Sequence, residues 1–237
     1  MRLAAQRSIL IAVYLALAGV AAAGSVDSPE DAELHGDYAT ALRLWRSLAD
    51  QGKAYPQYRV GLLYEGGQGG VPQNYVEAAK WYHKAADQGN AEAQARLGIL
   101  YQKGQGVPQD YAEAVKWYRL AADQGNDQGQ FTLGVMYVGG LGVAQSYVEA
   151  AKWLRLAADQ DNPYAQGFLG GLYDRGLGVP QDYVQAHMWS NLAASRIPPD
   201  QKEALDTATK QRDSVASKMT PEQIAEAQRL AREWKPK

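Results

Sequence analysis

Tyr75, Tyr111, Tyr147 and Tyr183 stand 36 residues apart, and so do Trp81, Trp117, Trp153 and Trp189. The same phrase surrounds each pair: "EGGQGGVPQNYVEA" at 65–78, "KGQGVPQDYAEA" at 103–114, "GGLGVAQSYVEA" at 139–150 and "RGLGVPQDYVQA" at 175–186. A glycine-rich loop opening a helix can cradle phosphate. Such a loop is needed once per site, however, and no lysine and hydroxyl pair follows the glycines here. A motif returning at this fixed period is architecture, because each short unit buries its apolar stripe only against a neighbour. The period therefore predicts an all-α, right-handed solenoid of about four helix-turn-helix units with capping helices.

One unit, residues 91–126, shows how the pattern works. Ala93, Leu97, Leu100 and Tyr101 fall on one face of a first helix. Gly98 interrupts that helix at a cost of about 1 kcal/mol relative to alanine, and Gly61, Gly134 and Gly170 stand in the same place. The expected reason is close approach of a neighbouring helix. Gly104 and Gly106 turn the chain by taking positive φ, and Pro108 prevents the first helix from continuing. Asp110 and Glu113 have the spacing of a capping box, in which the first residue accepts the N3 amide and the second reaches back. Asn74 with Glu77, Ser146 with Glu149, and Asp182 with Gln185 repeat it. The second helix is expected from Tyr111 to about Ala122, with Ala114, Trp117, Tyr118, Ala121 and Ala122 as its buried stripe. Gly125 closes it, as Gly52 and Gly89 close theirs. Asp161 replaces that glycine in the next unit, and a looser turn is expected there.

Helix, Gly-x-Gly-Val-Pro turn and helix at this period resemble the Sel-1-like repeat, a longer-loop relative of the tetratricopeptide repeat. The matching residues are "LGILYQKGQGVPQDYAEAVKWYRLAADQGN" and its three siblings, and the resemblance covers roughly 37 to 197. The departures are Ala144 in place of the turn proline, and an extra glycine among Gly66, Gly67, Gly69 and Gly70. Units read from the first helix run 54–90, 91–126, 127–162 and 163–197. Segment 24–53 precedes them, and its helix at about Tyr38 to Asp50, begun by Asp37, would cap the N-terminal end of the array. Residues 198–237 would form a polar-faced cap, with one helix begun by Asp200 and Glu203 and another by Thr220, Pro221 and Gln223.

Residues 1–23 read as a secretory signal peptide, with Arg2 and Arg7 before the apolar run Ile9 to Ala18, and cleavage after Ala23. The expected location is the periplasm or the exterior, with no membrane span after cleavage. Losing two arginines moves the formal charge from -2 to -4, which leaves no basic footprint for nucleic acid. With no cysteine, stability must come from packing rather than disulfides.

No residue set reads as catalytic. His35, His83 and His187 occupy different repeat phases and read as surface histidines, so neither a metal nor another cofactor is expected. Asp87, Asp123 and Asp159 are one solvated loop position, repeated. The tryptophans read as core rather than as sugar-stacking platforms. Some cysteine-rich secreted relatives of the family are linked to penicillin binding or hydrolysis. A cell-wall or β-lactam-directed activity is therefore one alternative, and a purely structural spacer is another. The leading expectation is a non-catalytic scaffold for a protein or peptide partner. By the resemblance to tetratricopeptide arrays, slots five, six and nine of each first helix point into a concave face. They hold Tyr58, Arg59 and Leu62; Ala95, Arg96 and Ile99; Phe131, Thr132 and Val135; and Gly167, Phe168 and Gly171. Arg59 and Arg96 would anchor an acidic group of the partner, with apolar contact from Tyr58, Ile99, Phe131 and Phe168.

Overall fold

A computed structural model describes residues 28–237. Residues 1–23, expected from the sequence to be a signal peptide, and the expected cleavage after Ala23 lie outside the described residues. Twelve helices and no strand are found among the described residues. Four pairs make the array: α3 (Ala54–Gly66) with α4 (Tyr75–Ala86), α5 (Ala91–Lys103) with α6 (Tyr111–Asp123), α7 (Asp127–Gly139) with α8 (Tyr147–Asp159), and α9 (Pro163–Arg175) with α10 (Tyr183–Arg196). Before them come α1 (Pro29–Leu34) and α2 (Tyr38–Ala49), and after them α11 (Lys202–Ala216) and α12 (Pro221–Glu233). Each second helix packs on its own first helix and on the first helix of the next unit. The apolar stripes thus join into successive core clusters, from Trp45 at one end to Trp189 at the other. Ala227 and Ala231 of α12 close the last cluster, where the Trp189 and Trp234 rings meet edge to face at 6.0 Å.

The turn glycines do two different jobs. Gly104 takes φ +66° and caps α5 through its amide to the Leu100 carbonyl. Gly106 takes φ +73° with its backbone pressed on the previous unit, so that a Cβ there would lie 2.1 Å from the Tyr75 carbonyl oxygen. A glutamine repeated at one position of the units clamps the turns: Gln109 Nε2 donates to the Gln102 carbonyl at 2.8 Å, as Gln145 does to Val138 at 2.7 Å and Gln181 to Asp174 at 2.8 Å. With Ala144 in place of proline, the turn still closes through the Ser146 amide on the Tyr137 carbonyl at 3.0 Å.

All four N-caps accept the N3 amide as expected: Asn74 from Glu77, Asp110 from Glu113, Ser146 from Glu149 and Asp182 from Gln185. The reciprocal arm is missing, and the reason is structural. Each cap's own amide already donates across the turn to Tyr64, Tyr101, Tyr137 or Tyr173, so nothing is left for the N3 side chain to accept. Glu77, Glu113 and Glu149 pair instead with Lys80, Lys116 and Lys152. Only Thr220 with Gln223, where no such turn precedes the helix, shows both arms, at 3.3 and 2.9 Å.

Three other expectations need correction. The turn at Asp161 is not looser. Asp161 takes φ +70°, and the amides of Asp161 and Asn162 reach the carbonyls of Ala158 and Ala157 at 3.1 Å, as Gly125 and Asn126 do theirs at 3.0 Å. The left-handed conformation costs roughly 1–2 kcal/mol for an L-residue, and the bonds that the Asp161 carboxylate accepts from Gln166 Nε2 and Arg196 Nε offset it. Asp200 does not begin α11. Gln201 stands at the cap without a side-chain capping bond, its Oε1 taken up by the Tyr164 hydroxyl. His187 is not on the surface. It is 4% exposed, in the core slot held by Ala151 one unit earlier, and burial followed by the nearby Arg212 pushes its pKa down. The tryptophans divide: Trp81 and Trp189 are buried, whereas Trp117 and Trp153 are half-buried against the core. Helix α1 was not anticipated, although Ser28 caps it and Pro29 begins it.

A ladder of buried glutamines crosses the units. Gln57, Gln94, Gln130 and Gln166 each donate to an alanine carbonyl eight residues earlier, at 3.1 to 3.3 Å. Gln88, Gln124 and Gln160 then donate to the first three at 2.7 to 2.8 Å, tying the loop after each second helix to the preceding first helix. The ladder stops where Arg196 replaces the next glutamine, and Gln166 Oε1 is left buried without a partner.

Candidate functional site

Slot residues of successive first helices meet at both ends of the array, Tyr58 with Arg96 between α3 and α5 and Phe131 with Phe168 between α7 and α9. At the N-terminal end the contacts are polar. Arg59 is engaged by Glu33 of α1, donates from Nη1 to the Tyr55 hydroxyl at 3.0 Å and stacks 5.3 Å from the Trp45 ring. Glu33 also accepts from Trp45 Nε1 at 2.5 Å, so Arg59 fastens α1 to the array. Arg96 reaches Glu65 at 3.4 Å, and Glu65 accepts from the Tyr82 hydroxyl at 2.5 Å. Burial opposes the charge on Arg96, yet Glu65 leaves its pKa raised; Tyr58, beside it, is raised chiefly by burial. The two arginines therefore each hold an internal carboxylate. An acidic group of a partner would share these guanidinium groups with Glu33 or Glu65.

The other end is apolar and open. Phe131 lies edge to face with Phe168 at 5.8 Å and tilted against Tyr164 at 6.0 Å. Phe168 is 42% exposed, whereas Leu62, Ile99 and Val135 are half-buried. Thr132, expected to face a partner, is buried at 9% beneath Gln128, whose Nε2 donates to its hydroxyl at 2.9 Å. Beside Phe168 a cleft of about 770 Å³ opens between α9 and α11. Tyr164, Gly167, Phe168, Gly171 and Arg175 form one wall, and Ala204, Thr207, Ala208 and Gln211 the other. The three slot residues of α9, Gly167, Phe168 and Gly171, were in view in the sequence, but the opposite wall was not, because α11 lies outside the repeat pattern.

The Sel1 repeat model matches residues 34–53, 57–90, 91–126, 127–162 and 163–196. The chain belongs to the Sel1 repeat family. The first match falls on α2, which is thus a partial Sel1 unit. A Cβ on Gly69 would meet Tyr38 Cδ2 at 2.4 Å, so α2 carries the first turn much as α4 carries Gly106. Among solved structures the chain is similar to c5321, a protective antigen of uropathogenic Escherichia coli with an SLR fold, at 37% identity and TM-score 0.74. The match covers 82% of this chain and 40% of that one, so the chain spans well under half of the E. coli protein. It is also similar to a Sel1 repeat protein of Oxalobacter formigenes, at 30% identity and TM-score 0.67, covering 86% of this chain and 85% of that one. No curated protein matches the chain. Sel1 repeat proteins are in general non-catalytic protein-interaction scaffolds. Among the described residues no group of three or more His, Cys, Asp or Glu is placed to hold a metal ion, and no helix is long and apolar enough to cross a membrane.

Proposed function

We propose that this Sel1 protein is an exported, non-catalytic scaffold that binds a segment of a partner protein along the face of its first helices. Support for export comes from the basic start, the apolar run and the Ala21-Ala22-Ala23 stretch. One observation carries the binding reading. The arginine end of the face is neutralised by Glu33 and Glu65, whereas the aromatic end leaves Phe168 open beside a cleft. Exposed apolar surface rimmed by polar groups marks interaction sites, and aromatic anchors beside pockets dominate binding energy. The apolar end is therefore the principal contact, with Arg59 and Arg96 shaping the rest of the groove.

The experiment is capture of partners from a crosslinked envelope fraction with the wild-type chain and with Phe168→Glu. Phe168 is exposed, so the variant should melt like wild type. It should retain at most a tenth of the captured partner, a loss of about 1.4 kcal/mol. Undiminished capture by the folded variant would contradict the proposal.

A further inference from the structure

The α9/α11 cleft differs from the rest of the array in two ways that describe its occupant. The first is its floor. Gly61, Gly98, Gly134 and Gly170 are each pressed by a neighbour, with a Cβ reaching 2.4 to 2.7 Å from Tyr82, Tyr118, Leu154 or Ser190. Gly167 and Gly171 are not. A Cβ on Gly167 would meet only Ala193 Cβ, at an ordinary 3.7 Å, and one on Gly171 would meet only the ends of two long side chains that line the cleft, Arg175 Nη2 at 3.2 Å and Gln211 Nε2 at 3.5 Å. Both lie within α9, where glycine is disfavoured relative to alanine. They stand one turn apart in slots that the third unit fills with Phe131 and Val135. Packing does not ask for these two glycines, and their effect is to hollow the cleft.

The second is its charge. Arg175 folds back over Gly171 and donates from Nε to the Gly171 carbonyl at 3.1 Å. Among the described residues no carboxylate lies within ion-pairing distance of it. Its terminal nitrogens thus face the cleft from one end. Asp200 and Glu203, with Lys202, line the other end near Tyr164. The cleft is apolar along its length, cationic where α9 ends and largely acidic where α9 begins. Apolar pockets with a few placed polar groups orient what they bind, and a guanidinium with two free nitrogens fits a carboxylate.

We infer that the cleft seats a large apolar side chain of the partner segment over Gly167 and Gly171, with an adjacent acidic side chain paired to Arg175. The inference rests on the first-helix face being the binding surface, and it fixes where on that face the partner is anchored and by what chemistry. Gln211, bonded to the Gly167 carbonyl at 2.9 Å and to Ser190 at 3.1 Å, holds the two walls in register.

The test follows backbone amide resonances of the full exported chain during titration with capped peptides. One peptide contains Phe-Glu; its twin contains Phe-Lys. The Phe-Glu peptide should perturb Gly167, Gly171 and Arg175 and bind at least tenfold more tightly than its twin. Arg175→Glu should reverse that preference. Gly167→Leu should fill the floor and abolish binding while melting close to wild type. Perturbation at Ile99 and Phe131 without any at 167–175 would overturn the inference and leave the first-helix face standing. No preference between the peptides, no perturbation at all, or full binding by both folded variants would also overturn it. Envelope capture reads the broader proposal independently.

Discussion

Gly106→Ala should destabilise the protein by roughly 2–5 kcal/mol, the sum of a strained left-handed residue at roughly 1–2 kcal/mol and overpacking at roughly 1–3 kcal/mol. The overpacking arises because the new methyl would sit 2.1 Å from the Tyr75 carbonyl oxygen and 2.3 Å from its carbon. Both are backbone atoms at the start of α4, so relief requires separating two units. Gly104→Ala is the control. Its φ of +66° carries the same strain, but the nearest atom is Gln109 Cβ at 3.1 Å. A loss of about 1–2 kcal/mol is expected there. Denaturant unfolding of the two variants and wild type measures the difference. Equal losses would mean that the turn does not bear on the preceding unit as described.

Gly98→Leu should be comparably severe for a different reason. Gly98 lies in regular helix with no need for positive φ, and its role is purely one of space. A Cβ there would lie 2.7 Å from Cε1 of Tyr118. Tyr118 is fully buried and fixed by its hydroxyl on Gln102 at 2.7 Å, so the ring has no alternative position. Overpacking of this kind costs typically 1–3 kcal/mol, and each kcal/mol lowers Tm by roughly 2–4 °C in a chain of this size. Gly167→Leu, in the same kind of helix, should be nearly silent. Thermal melts of both variants separate the glycines that packing requires from those it does not. A Gly98→Leu protein melting like wild type would show that the Tyr118 contact does not hold the pair together.

Local chemistry is what a sequence displays best. Gly104, Gly106 and Asp110 announce a turn and a cap because their roles depend on residue type and spacing alone. The reach-back of Glu113 failed because it depends on whether the Asp110 amide is free, and that is decided by Tyr101 on the preceding helix. The glutamine ladder was hidden for a similar reason. Gln94 and Gln124 look like ordinary polar residues, and only the packing of α6 on α5 makes them partners, although their fixed spacing was a readable signal. The candidate face was legible as a set of slots but not in its electrostatics. Arg59 and Arg96 were expected to be available because Glu33 lies in an unforeseen helix and Glu65 outside the slots considered. Arg175 was overlooked as the last residue before a turn, and its importance depends on α11, where the repeat no longer guides the eye.

The central claim, that one face of this Sel1 array binds a protein, is tested most directly by photo-crosslinking in living cells. A crosslinkable residue is placed at Phe168 on the first-helix face or at Leu156 on a second helix, which is similarly exposed at 46%. The account expects a discrete crosslinked protein from position 168 and none from 156. Adducts of equal strength at both positions, or none at 168, would contradict it.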